Sequence, residues 1–385
     1  MGTAFDFDPD RLRTPLPGEN PAGIDLQQDE NGRALRSALR DLREGARIIE
    51  RQADDGDASS GGWPAAIPLW RQLRDKAAEV LLSTSRDTAV AAMLIEALAR
   101  TDGFVGLQTG FTAARAMVES SWDHLYPVPD PLDGPVDEAA IMEERSMPLV
   151  RLAGLDAEGL LVPAIMHVPL TSDRGGVTMG LCHWKSSRDL VNENDAEKLQ
   201  LAISRGGVAP AAFGEAVSET RPDFLRENFL AARAALAAWE ALCGAMSTAT
   251  DGQALIPVSP LRALFEDCLA AMRIFAPQAT VEEEGAAATS VPAESSIAAG
   301  AAAPPPVAAG TPADREQAFR ALEQIAVFFE THDPHSLLAA QIRNVVRLGR
   351  LPRAAYYQEL LADSSAAATL FKFVGIEAGP EESGS

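Results

Sequence analysis

The sequence predicts an all-α protein with an antiparallel helical bundle in its N-terminal part, a long flexible linker and a small helical C-terminal domain. Three observations carry that reading. Apolar residues recur at steps of three and four over most of the first 276 residues. Aromatic residues make up only 6% of the chain, and alanine, leucine and arginine are abundant, the composition that close helix packing uses. Between Pro277 and Ala313 there are 13 alanines, six prolines and four glutamates but no basic or aromatic residue, so nothing there can build a core.

The entry segment, Pro15 to Ile24, is too dense in proline and glycine for a helix and should lie extended over the domain surface. Leu35, Leu39, Leu42 and Ile49 then mark a helix within a segment rich in arginine and glutamate. It stops at Asp54 to Gly62, whose acids, serines and glycines favour a solvated loop. Leu69, Leu73, Ala77, Val80 and Leu81 line the next helix. Val90, Leu94, Ala97 and Leu98 line another, capped around Ser85 to Asp87 and ended by Asp102-Gly103. Phe104, Leu107, Phe111, Ala114, Val118, Trp122 and Leu125 form one continuous stripe, which predicts a helix packed on both preceding ones with Trp122 on its buried side. The short connections make these three antiparallel neighbours.

Pro127, Pro129, Pro131 and Pro135 interrupt the pattern, which resumes from Val136 to Leu155. Leu161 to Trp184 reads either as a small β-hairpin around Asp173-Arg174-Gly175-Gly176 or as an irregular loop. Helices follow at 208–220, 222–247 and 258–275. The expected organisation is therefore a helical N-terminal domain at 1–155 and a helical extension at 156–276. A disordered Ala/Pro-rich linker at 277–313, a small helical oligomerisation domain at 314–376 and a disordered tail at 377–385 complete it. Treated as a flexible coil, the linker holds its ends roughly 30 Å apart, so the last domain moves independently.

Several function classes are disfavoured by composition. With a net charge of −22 and no dense Lys/Arg block, the chain is not expected to bind nucleic acid. Cys182, Cys243 and Cys268 are odd in number and far apart in sequence, and read as buried thiols in a reducing compartment. The first twenty residues lack a secretion or lipidation signal, and no uninterrupted apolar run has the length of a membrane span; a cytoplasmic protein without direct membrane insertion is expected. Walker, dinucleotide-binding, HExxH and GxSxG patterns are missing, so neither cofactor nor enzymatic activity is expected. The rival from another class is an enzyme with its site in 156–210, where His167, Asp173, Cys182 and His183 cluster in sequence.

Cys182-His183 next to Lys185 has the composition of an activated thiol, set against the plainer reading of a semi-buried cysteine. His332 and His335 flank Asp333-Pro334, which reads as an N-cap and first helical position in preference to a metal site. Asp54 to Asp57 opens like a calcium loop, but its twelfth position is Ala66 where a glutamate is required. Arg343, Arg347 and Arg350 fall on one face of a short helix, either a solvated face or a docking face for an acidic neighbour. Residues 314–376 also contain Phe328, Phe329, Tyr356, Phe371 and Phe373, more aromatic surface than so small a core encloses, which points to self-association.

Five ordered pieces carry a family resemblance: Gly18-Glu19-Asn20-Pro21-Ala22-Gly23, Trp70, Arg86-Asp87, Gly103-Phe104-Val105-Gly106-Leu107 and Trp122-Asp123-His124-Leu125-Tyr126-Pro127. Together they resemble the ImpA N-terminal family, the TssA proteins of bacterial type VI secretion. Asp333-Pro334-His335-Ser336, Arg343 and Gly349-Arg350-Leu351-Pro352 resemble the Glu-Pro-His-Ser-Pro segment of short-form members, with Asp333 for the glutamate and Leu337 for the following proline. The resemblance implies a short, baseplate-type form: a non-enzymatic scaffold that helps organise the baseplate and the tail tube and sheath through a ring-shaped C-terminal multimer. The alternative role within that family is the distal cap of the growing sheath. On this reading Pro334, His335, Ser336, Arg343, Arg347, Arg350, Phe371 and Phe373 are the candidate assembly interface, and baseplate, sheath and tube proteins are the partners.

Overall fold

The computed structural model describes residues 7–56, 62–130, 136–154, 159–172, 178–191, 195–204, 206–254, 256–280, 319–320, 322–327 and 338–350. The chain divides into two compact units, Met1–Ala293 and Glu294–Ser385. The first contains α1 (Glu30–Asp54), α2 (Ile67–Ser83), α3 (Thr88–Thr101), α4 (Gly103–Ser121), α5 (Glu138–Ala153) and α6 (Val162–His167). It continues with α7 (Leu181–Asp189), α8 (Ala196–Ser204), α9 (Pro210–Glu219), α10 (Pro222–Ala249), α11 (Val258–Phe275) and a final turn, α12 (Pro277–Thr280). In the second unit, residues 322–327 are helical and α13 spans Leu338–Arg350.

Helix starts follow local chemistry. Asp29, Asp87 and Asp137 cap α1, α3 and α5 by accepting amide hydrogens from Gly32, Ala89 and Ala140, at 2.7, 2.7 and 2.8 Å. Proline occupies the first turn of α6, α9 and α10, where a missing N–H costs nothing.

The helices of the larger core form a succession in which α3 lies between α2 and α4, and α4 between α3 and α10. Helix α3 is buried on nearly every side, including Val90, Leu94, Ile95, Ala97 and Leu98. Its contact with α4 is close because Gly106 has no side chain: a Cβ there would sit 2.3 Å from the Leu98 carbonyl oxygen. On the other side of α4, Phe111 meets Trp239 of α10 with ring centroids 5.3 Å apart, and Phe104 meets Phe265 of α11 at 6.1 Å. Leu261, Leu264, Cys268 and Met272 of α11 close the far end of the same continuous core.

Helix α10 is long and apolar enough to cross a membrane by length and composition alone. Here Phe229, Ala232, Ala235, Trp239, Leu242 and Met246 are buried in the core that it shares with α4 and α11. Its hydrophobicity is that of a core helix with neighbours on two sides.

Three expectations are corrected. The stripe ending at Leu125 is not one helix, because α4 stops at Ser121 and Trp122–His124 form a 3-10 turn, which rotates Trp122 to a half-buried position. The second wall against α4 is α10 and not α2, since α3 intervenes. Among the described residues there is no strand, and the proposed hairpin region instead carries α6 and α7, joined by amides of Leu170 and Thr171 donating to the Met179 carbonyl at 2.7 and 3.2 Å. The expected hairpin tip at Asp173-Gly176 lies outside the described residues. Short apolar runs with alternating polarity cannot by themselves separate a strand from a one- or two-turn helix.

These positions set an expected difference between two tryptophans. Trp239→Ala should cost about 3–5 kcal/mol, the usual loss for a fully buried large aromatic, whereas Trp122→Ala should cost clearly less. Urea melts of the two full-length variants measure both, and equal losses would contradict this packing.

Candidate functional site

Part of the resemblance set, Pro21-Ala22-Gly23, Arg86-Asp87 and Tyr126, meets at the turn between α2 and α3. Where α2 ends, Thr84 accepts the Ile24 amide at 3.1 Å, and the Arg86 amide donates to the Ala22 carbonyl at 2.7 Å. On the other side the Tyr126 amide donates to the Arg86 carbonyl at 3.0 Å, and the Thr88 amide to the Tyr126 carbonyl at 2.8 Å. One turn is thus clamped between the entry segment and the segment after α4, through two isolated bridges, Gly23 to Ser85 and Asp87 to Tyr126. Gly23 is required in this clamp: its φ is +85°, and a Cβ would stand 2.1 Å from the Thr84 carbonyl oxygen.

Side chains tighten the same place. Asn20 Nδ2 donates to the Tyr126 hydroxyl at 2.9 Å, and the Ser85 hydroxyl donates to the Ile24 carbonyl at 2.7 Å. Arg86 turns the opposite way from Asp87, donating to the Thr14 carbonyl at 3.0 Å while Nη1 is buried with no partner. Burial, with the nearby charge of Arg11, lowers its pKa to about 10. Asp87 is buried against α3; that burial raises its pKa to about 6 although the Ala89 and Val90 amides favour the ionised form. Arg145 of α5 was not singled out in the sequence, yet it donates to the carbonyls of Leu125, Trp122 and Asp123 at 2.6, 3.0 and 3.1 Å. It satisfies carbonyls at the end of the 3-10 turn, and nothing local in sequence announces so distant a partner.

Trp70 belongs to a second buried polar group. Its indole N–H donates to Glu50 at 2.7 Å, Arg100 donates to the same carboxylate at 2.6 and 3.0 Å, and the Arg100 guanidinium lies 4.2 Å from the Trp70 ring centre. Breaking such a pair from one side is costly, because the remaining charge stays buried.

The residues behind the enzyme alternative adopt a different arrangement. Trp63 stacks on His167 with ring centroids 3.8 Å apart, and His183 meets His167 edge-on at 6.1 Å. Cys182 Sγ lies 3.2 Å from His183 Nδ1, but that nitrogen accepts the Gly180 amide at 3.0 Å and so has no lone pair left to act as a base. Burial holds the Cys182 thiol at about 11, against thiolate formation. Burial likewise raises Cys243 and Cys268 to about 12. Asp173 lies outside the described residues.

In the second unit, Arg343, Arg347 and Arg350 share a groove of about 470 Å³ with Glu323, Val327 and Val346. The Arg350 guanidinium pairs with Glu323 at 2.9 Å within the chain, so that acid is engaged without a neighbouring subunit. Pro334, His335, Ser336, Phe371 and Phe373 lie outside the described residues, as does most of the 277–313 stretch.

Residues 13–154, which hold the clamp, Trp70 and α1 to α5, match the family described as ImpA, N-terminal, type VI secretion system. Over these residues the chain is similar to the ImpA N-terminal family. The whole chain is similar to type VI secretion system component TssA1 of Pseudomonas aeruginosa, 26% identical over 352 residues that cover 90% of this chain and 92% of that protein. The fold is shared with a solved N-terminal domain that includes the conserved ImpA_N region of the TssA component from Burkholderia cenocepacia. That likeness has a TM-score of 0.55 at 20% identity, over 73% of this chain and 98% of the solved one. Residues 13–154 thus hold Pro21, Gly23, Trp70, Arg86, Asp87, Gly103, Phe104, Gly106, Leu107, Tyr126 and Pro127 in or beside their buried contacts, with Trp122 at the margin.

Asp87 gives the clamp a pH signature. The unfolded chain releases this proton near 3.8 and the folded chain near 6, so between these values the folded state binds more protons and stability falls as pH rises. Asp87→Asn keeps a capping acceptor but cannot titrate. The stability of the natural protein relative to this variant should fall by up to about 3 kcal/mol from pH 4 to pH 7. Denaturant melts across that range test it, and a constant difference would exclude the titration.

Proposed function

We propose that this chain is a non-enzymatic scaffold component of a type VI secretion system, of the short baseplate-type form, which organises the baseplate and the tail tube and sheath through a ring-shaped multimer. The carrying observation is the collinear likeness to TssA1, which extends over 90% of this chain and 92% of that protein and therefore past the N-terminal region. The scaffold reading also draws on the resemblance residues themselves, many of which join helices and turns to each other.

In this proposal residues 1–276 form the larger cytoplasmic module, 277–313 tether it, and 314–376 assemble the ring. The second unit leaves Ile325, Val327 and Val345 exposed by 45%, 52% and 57%, apolar surface that contact between copies would cover. Pro334, His335, Ser336, Arg343, Arg347, Arg350, Phe371 and Phe373 are the proposed contact residues. Repetition around a ring multiplies weak contacts to the secretion machinery through effective concentration.

Light scattering on full-length protein and on a chain ending at residue 276 tests the placement of assembly. The full chain should be a multimer and the shortened chain smaller; an unchanged subunit number would move assembly out of the C-terminal region. Affinity purification of full-length protein from secreting cells tests the role. Enrichment of baseplate proteins fits the proposal, and enrichment of sheath and tube proteins at growing ends without baseplate proteins would replace it by the distal-cap role.

A further inference from the structure

We infer that one flank of α1 is a docking ridge for an acidic segment of another protein. Helix α1 contains six arginines, Arg33, Arg36, Arg40, Arg43, Arg47 and Arg51, separated by steps of three and four. At 100° per residue these positions fall within about 80° of the helix circumference and extend over about 27 Å. Charge of this density is out of character for a chain of net charge −22.

The ridge is only partly used inside the protein. Arg43 is spent on Glu96 of α3 at 2.6 Å, and Arg51 pairs with Glu44 at the edge of the ridge at 2.6 Å. Arg33 donates to the Gln27 and Gln28 carbonyls at 3.4 and 2.9 Å, which orders the start of the ridge without neutralising it. Arg40 is exposed and Arg36 half-buried, and neither forms an ion pair or hydrogen bond among the described residues. Beside them the pKa of Arg47 is lowered first by burial; Glu96 and Glu50 oppose that shift, and Arg43 and Arg100 add to it.

The repeat favours an acidic protein segment. Steps of three and four match acids on one face of a facing helix, and guanidiniums grip carboxylates in bidentate pairs. A continuous phosphate backbone fits less well, because Asp41 and Glu44 border the ridge and the rest of the chain repels a polyanion. The inference stands on α1 alone and is independent of where the chain self-assembles.

The test uses full-length protein and a fluorescent twelve-residue poly-glutamate peptide, followed by anisotropy at low and at 0.5 M salt. Binding should weaken with salt as exposed charge pairs are screened. Arg36→Gln/Arg40→Gln/Arg51→Gln should weaken it about tenfold, near the product of roughly twofold for each exposed pair. Arg71→Gln/Arg151→Gln, which removes two exposed cations elsewhere, should leave it within about twofold. The single variant Arg40→Glu, at an exposed position with no partner among the described residues, should weaken binding and keep the natural melting temperature. Equal weakening by both multiple variants would overturn the ridge as the site. Tighter, ridge-dependent binding of duplex DNA or of anionic lipid vesicles would overturn the choice of a protein partner.

Discussion

A turn buried between helices has backbone groups that neither helix can satisfy, and the connection from α2 to α3 is such a turn. Its amides and carbonyls are taken up by the entry segment on one side and by the segment after α4 on the other. Because an unpaired buried peptide group costs about as much as a lost hydrogen bond, these three stretches must be placed together. The requirement fixes where the chain enters the domain, where α3 begins and where the chain leaves α4. Gly23, Asp87 and Tyr126 are each there to make that meeting sterically and electrostatically feasible.

The same logic explains why so much of the charge near α3 is internal. Glu50, Glu96, Arg43 and Arg100 form pairs across α1 and α3, with the Trp70 indole as an added donor. Such pairs offset their own desolvation only when the geometry is good and the remaining lone pairs are used. Glu50 meets that condition with both oxygens engaged, while Glu96 leaves Oε2 buried and unpaired. The α1–α3 contact is therefore specified by direction as well as by apolar fit.

How much of this could be read beforehand depended on the range of the interaction. Apolar periodicity placed α2, α3, α10 and α11 to within a few residues, because it is a local consequence of burying one face. The cap at Asp87 was equally local. The role of Arg145 was not, since its three carbonyl partners lie 20 to 23 residues earlier in the chain. Trp122 was misplaced for a related reason: the stripe continued at helical spacing, but the backbone tightened to a 3-10 turn beneath it. The resemblance names residues without saying what they do, and Trp70 becomes intelligible only with Glu50 and Arg100 around it. The arginine ridge and its one-sidedness follow from helical spacing, whereas the pairing of Arg33, Arg43 and Arg51 emerges only from the structure.

The packing of α10 on α4 has a consequence for how the protein is made. Helix α4 ends at Ser121, and the helix that covers its far side is complete only at Ala249. At ordinary synthesis rates the ribosome needs about 6 to 25 s for the intervening stretch. During that interval Phe111 and its neighbours have no permanent cover, and the nascent chain presents a sticky helical face to the cell. Emergence of α10 is then the event that closes the core, which makes this helix the one whose delay or loss would deliver the newborn chain to chaperones or to aggregation.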